Sequence, residues 1–234
     1  VEEMLFGISW VVLIKIIFID ILLSGDNAVV IALASRNLPK EQQKKAVFWG
    51  GFGAVALRVV LTFLAVFLLK IPFVQFVGAL LLLWIAIKLL KGEEEDNNIE
   101  SGSNLWAAVK TIIIADFVMS LDNVVAIAGT AEGHLGLIIF GLLVSIPIII
   151  WGSQLLMKLM NRFPVIVTLG SALLGYTAGE MMLHDKKVGA FIEDTIPYGE
   201  YAVPVIFIVF VVVVGKILAA RSAKEANQNH TSAA

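Results

Sequence analysis

An octapeptide pattern, D-x-x-x-S-x-D-N, occurs twice inside runs of residues that are otherwise almost wholly apolar. The first copy is Asp20, Ser24, Asp26 and Asn27; the second is Asp116, Ser120, Asp122 and Asn123, 96 positions later. Carboxylates in such runs constrain the fold severely. An acidic residue at bilayer depth costs ~2.5–3.5 kcal/mol on insertion scales, so a chain keeps one there for function, turned to a partner or a polar cavity.

The rest of the composition places these runs in a membrane. Hydrophobic residues make up 59% of the 234 and charged ones 15%, and the mean hydropathy is +0.92. So few polar side chains cannot cover a water-facing surface. The expected fold is an all-α polytopic membrane protein of seven transmembrane helices, over about 5–34, 46–69, 72–91, 104–130, 135–160, 164–183 and 200–220. Each reaches the ~20 apolar residues that ~30 Å of hydrocarbon requires. The first and fourth are too long for a perpendicular span, so tilt, or a break near Ser24-Gly25 or Ser120, is expected to absorb the excess. No cleavable signal peptide is expected, because Glu2 and Glu3 precede the first apolar run without a basic n-region.

The repeat extends beyond the motif. Pro72, Gly78, Trp84 and Lys88 in the third helix share their spacing with Pro164, Gly170, Tyr176 and Glu180 in the sixth, 92 positions on. Helices two and five match more weakly, at Gly50 and Gly141. Three helices per repeat is an odd number, so the second copy should insert upside-down relative to the first, and such inverted repeats place substrate sites at the midplane. The expected organisation is a first three-helix repeat (1–91), a solvated acidic cytoplasmic linker (92–103), a second inverted repeat (104–183), an extracellular loop (184–199), an appended seventh helix (200–220) and a disordered cytoplasmic tail (221–234). Twelve Lys and Arg fall on one side of this arrangement and Lys70, Lys186 and Lys187 on the other. The positive-inside rule then predicts the N-terminus outside and the C-terminus in the cytoplasm.

The chemistry follows from the donor atoms. Cysteine is absent and His numbers three, which excludes thiolate sites and disfavours a His-rich zinc or copper site. On a regular helix Asp20 and Asn27 share a face, with Asp26 one position off it. A distortion at Ser24-Gly25 would let all three converge and free backbone carbonyls. With Asp116, Asp122 and Asn123 this supplies up to four carboxylates and two amide oxygens, a hard set suited to Mg²⁺, Ca²⁺ or Mn²⁺. Met119, at the place Leu23 holds in the first copy, would tilt that set toward Mn²⁺ if its thioether ligates, and otherwise simply packs. Arg58 and Lys15, the cations within spans, are the candidate counter-ions for the surplus negative charge. Ser24 and Ser120 are expected to support the carboxylates by hydrogen bonding. Glu180 is a candidate gate or extra ligand. Glu132, His134, His184 and Asp185 are expected to be solvated in outer loops.

On these residues the chain resembles the TerC family of integral membrane proteins. Ser24-Gly25-Asp26-Asn27 and Ser120-Leu121-Asp122-Asn123 look like the family's paired signature, and Trp49 to Arg58 (WGGFGAVALR) is similar to its Gram-positive bacterial members. The resemblance covers about residues 5–220. It implies a LysE-like exporter of manganese in the bacterial plasma membrane, with Mn²⁺ as transported substrate and Asp20, Asp26, Asn27, Asp116, Asp122 and Asn123 at the metal site. It also implies a supply of metal to secreted metalloenzymes or the secretion machinery; no nucleic-acid partner is expected, and the oligomeric state stays open. Export direction comes from the resemblance alone. The alternatives are a Ca²⁺ or other divalent-cation transporter and a non-transporting scaffold that delivers metal. An enzyme is not expected, since no nucleophile-plus-base pair lies at depth.

Overall fold

The computed structural model describes residues 4–5, 8–68, 71–92, 101–130 and 135–232. A two-residue antiparallel pair, Met4–Leu5 with Ile8–Ser9, precedes the helices. The helices are α1 (Trp10–Leu23), α2 (Gly25–Ser35), α3 (Lys40–Leu68), α4 (Val74–Lys91), α5 (Ser101–Thr130), α6 (Leu135–Arg162), α7 (Val165–His184), α8 (Val188–Thr195) and α9 (Gly199–Ser232). Six helices among the described residues are long and apolar enough to cross a bilayer, and α1 with α2 forms a seventh candidate, bent by 47°. This is the all-helical membrane architecture the sequence predicts.

The break lies at Ser24, where the expectation placed it. Gly25 follows, with nothing within 4 Å of where a Cβ would sit, and a Ser-Gly pair is a common point of helix failure. The second copy differs: α5 runs unbroken through Ser120, where Leu121 replaces the glycine. Leucine favours helix by about 1 kcal/mol over glycine, so the same motif is broken once and continuous once.

The two halves interlock rather than sit side by side. A Cβ on Gly50 of α3 would meet Ile112 of α5 at 2.7 Å, and one on Gly141 of α6 would meet Ile16 of α1 at 2.6 Å. Ile16 and Ile112 are themselves 96 positions apart. Each half thus offers a glycine seat to the motif helix of the other, and the small residues let the backbones approach. The main core joins α2, α4, α5 and α7 through residues such as Val30, Leu82, Val118 and Leu174. Outward stand large apolar side chains, among them Trp84, Trp106, Trp151 and Phe210. Water disfavours that surface and hydrocarbon accepts it.

Three expectations need correction. The stretch read as an extracellular loop contains α8, too short to register as a span. Asp185 is not solvated there: it is 3% exposed, its Oδ1 accepts the Lys187 and Val188 amides at the start of α8, and its Oδ2 accepts the Phe76 amide of α4. Free amides at a helix start attract a carboxylate. The stretch read as a disordered tail continues α9 to Ser232. Its Ala, Lys, Glu and Gln are helix formers, and it contains no Gly or Pro. The core of the acidic linker, 93–100, and the loop bearing Glu132 and His134 lie outside the described residues.

Candidate functional site: a shared guanidinium beside an acidic cleft

Arg58, on α3, is 1% exposed and stands between the two motif copies. Its Nη1 donates to Asp20 Oδ1 at 2.7 Å and to Ser24 Oγ at 2.8 Å. Its Nη2 donates to Asp116 Oδ1 at 2.5 Å and its Nε to Ser120 Oγ at 3.0 Å. The serines complete the pattern: Ser24 Oγ donates to Asp20 Oδ1 at 3.3 Å and Ser120 Oγ to Asp116 Oδ2 at 3.1 Å. In each copy Asp and Ser are four residues apart, which stacks them on one helix face. The rigid fork of a guanidinium suits this double claim, whereas an ammonium offers a point charge. Lys15, the other candidate counter-ion, is exposed on α1.

The remaining motif residues do a different job. Asp26 and Gly25, at the start of α2, line a cleft of about 450 Å³ together with Met119 and Asn123 of α5 and Tyr176, Glu180 and His184 of α7. The cleft runs from the end of α7 down to the helix break. Asp26 Oδ1 accepts the Asn27 amide at 2.9 Å, and the Tyr176 hydroxyl donates to Glu180 Oε1 at 2.6 Å. Glu180, Tyr176 and His184 also line a second, larger recess of about 600 Å³ leading past α8 and the start of α9.

Asn27 turns away from the cleft. It is 3% exposed and lines a small void of about 10 Å³ with Arg58 and Asp116. Among the described residues neither its Oδ1 nor its Nδ2 has a hydrogen-bond partner, and Asp20 Oδ2 also lacks one. A buried polar group left so costs about 1–3 kcal/mol.

The structure therefore brings Asp20, Asp116, Ser24, Ser120 and Arg58 together in one cluster, and Asp26, Asn123, Met119 and Glu180 in another. Asp122 lies on α5, but its side chain is outside the described residues. Among the described residues no three His, Asp or Glu side chains converge as a ready-made metal cage. Tyr176 and His184 escaped the sequence reading as cleft residues. Their signal was available: positions 173, 176, 177, 180, 181 and 184 all line the cleft and recur at helical spacing along one face.

Helices fit to span a bilayer, an outward apolar surface and a buried ion cluster with a polar cleft define a polytopic integral membrane protein. The sequence matches the integral membrane protein TerC family over residues 6–223, and the chain belongs to that family. It is 45% identical over 202 residues to the uncharacterized membrane protein YjbE of Bacillus subtilis, covering 86% of this chain and 91% of that protein. Similarity to the uncharacterized membrane protein YkoY of the same organism is 30% over 196 residues, 75% of this chain and 60% of YkoY. The UPF0053 inner membrane protein YoaE of Escherichia coli K12 is 26% identical over 180 residues, 68% of this chain and 35% of YoaE. No solved structure matches.

Proposed function

We propose that this protein exports Mn²⁺ across the bacterial cell membrane, with its N-terminus outside and C-terminus in the cytoplasm, through a site between the two motif-bearing halves. The observation that carries the reading is the cleft in which Asp26 of the first copy and Asn123 of the second face a common space. Carboxylate and amide oxygens at depth are a hard donor set, suited to Mg²⁺, Ca²⁺ or Mn²⁺. Met119 on the same wall supplies the softer donor that favours Mn²⁺ among them. α1 ends at Leu23, next to Asp26, and the last carbonyls of a helix lack intrahelical partners, the device by which transporters bind ions at the midplane. Reciprocal seating of Gly50 on Ile112 and Gly141 on Ile16 supports an inverted repeat, and with it alternating access. Metal released outside would reach secreted metalloenzymes.

The decisive experiment is Mn²⁺ flux into liposomes holding the purified chain, beside an Asp26→Asn/Asp122→Asn double variant. Flux in the parent and none in the folded variant supports the exporter. Flux retained by the variant overturns this site. Mn²⁺ bound by the parent without flux favours the metal-delivery scaffold, and Ca²⁺ carried in preference to Mn²⁺ favours the alternative substrate.

A further inference from the structure

Resting on the exporter reading, we propose that Arg58 is a tethered cation that occupies the Asp20–Asp116 pair in place of the cargo, so that guanidinium and divalent ion hold this pair in turn. Arg58 would then be a positioning residue, and the first Asp of each motif would be a transfer station distinct from the cleft residues that meet the ion first.

Three observations lead there. Both carboxylates already bind a cation, and that cation is covalently part of α3: Nη1 serves Asp20 and Nη2 serves Asp116. No loaded site for a free ion coexists with it, because Asp20 Oδ1 and both Asp116 oxygens are engaged by Arg58 and Ser120. Second, the charge does not close. Two carboxylates against one guanidinium leave a surplus negative charge in a buried place, whereas one divalent ion would balance the pair. Third, ligand atoms wait unused beside the cluster. Among the described residues Asp20 Oδ2 and Asn27 Oδ1, the oxygens able to ligate, are buried without hydrogen-bond partners, and Asn27 faces the same void as Arg58 and Asp116.

That void, about 10 Å³, admits at most about one water. A metal enters only as the guanidinium leaves. The guanidinium sets two separate nitrogens between the carboxylates, 2.7 Å from Asp20 and 2.5 Å from Asp116, whereas one ion bonded to both at about 2.0–2.6 Å spans them with a single atom, so the exchange would draw the α1–α2 pair toward α5. The cation's identity thereby sets the separation of the two halves. When the ion departs, Arg58 returns and no pair of bare carboxylates is left in the membrane.

The test counts ions on the purified full chain, by equilibrium dialysis against Mn²⁺ with elemental analysis, for the parent, Arg58→Gln, Arg58→Lys and the Asp20→Asn/Arg58→Gln/Asp116→Asn triple variant. Arg58→Gln should bind one more Mn²⁺ per chain than the parent. The extra ion should vanish in the triple variant and in Arg58→Lys, which keeps a tethered charge. A monodisperse Arg58→Gln protein with the parent's stoichiometry overturns the proposal. Should Arg58→Gln aggregate without metal, added Mn²⁺ must restore a monodisperse protein, and failure to do so also overturns it. Flux by the parent is read separately: a parent without flux but with the extra ion in Arg58→Gln removes the exporter and leaves the exchangeable pair standing.

Discussion

Asp20 and Asp116, 96 positions apart in sequence, hold opposite ends of the same guanidinium, 2.7 and 2.5 Å from its two terminal nitrogens. The first carboxylate of each repeated motif thus joins the halves, while Asp26 of the first copy and Asn123 of the second line the cleft. The two Asp positions should respond differently to substitution.

Neutralising the first Asp should damage the fold. Asp116→Asn neutralises one partner of a buried cation that donates to Asp20, Ser24, Asp116 and Ser120, and breaking such a pair costs on the order of 3–5 kcal/mol. Asp20 still pairs with Arg58, so the low end, about 3 kcal/mol, is expected. Asp26→Asn, at the cleft, should leave the melting temperature close to the parent's while transport is lost. Thermal unfolding in detergent beside liposome flux separates the two; equal destabilisation by both substitutions would contradict this division of labour.

Glycine at the helix break should be a handle on the cleft. A Cβ at Gly25 meets nothing within 4 Å, and Gly25 lines the cleft. Gly25→Leu, which copies Leu121 of the second motif, should be tolerated in the fold and fill space beside Asp26. Transport should fall at least tenfold with little change in thermal stability. Gly179→Ala should do the reverse, because its Cβ would lie 2.5 Å from the Pro204 backbone of α9. Overpacking of that kind costs about 1–3 kcal/mol, visible as a lowered melting temperature.

How much of this was legible in the sequence follows from which residues carry local signals. The motif, the break at Ser24-Gly25 and the value of Arg58 as a counter-ion could be read, because glycine and buried charge act through strong, short-range physics. That Asp20 and Asp116 bind Arg58 while Asp26 and Asn123 line the cleft could not. Helical periodicity put Asp20 and Asn27 on one face with Asp26 off it, and both do border the Arg58 cluster, but periodicity does not say which helix a face meets. The partner that decides the matter lies on another helix, 38 residues from Asp20 and 58 from Asp116. Nor did the sequence announce α8 or the buried role of Asp185, since a helix of 8 residues carries no spanning signature.

Glu180 should tune access without holding the fold. It lies on the cleft wall, bonded to the hydroxyl of exposed Tyr176. A solvent-exposed contact of this kind contributes little to stability, but a carboxylate in a cleft raises the local concentration of cations. Glu180→Gln should leave thermal unfolding unchanged and lower the apparent affinity for Mn²⁺ a few-fold, with the difference shrinking as salt screens the charge. An affinity loss independent of ionic strength would instead indicate direct ligation.

Met119 carries the last prediction, on metal preference. Its side chain is 4% exposed, yet it borders the cleft beside Asn123, so it is placed both to pack and to meet a cation. Met119→Leu conserves volume and should cost less than about 1.5 kcal/mol, which keeps the fold intact and the comparison clean. Replacing thioether by hydrocarbon removes the soft donor while leaving Asp26 and Asn123 in place. Softness is what separates Mn²⁺ from Ca²⁺ on such a set, so competition flux should show the preference for Mn²⁺ over Ca²⁺ falling several-fold. An unchanged ratio would assign Met119 to packing alone and leave selectivity to the oxygen ligands and the size of the space between them.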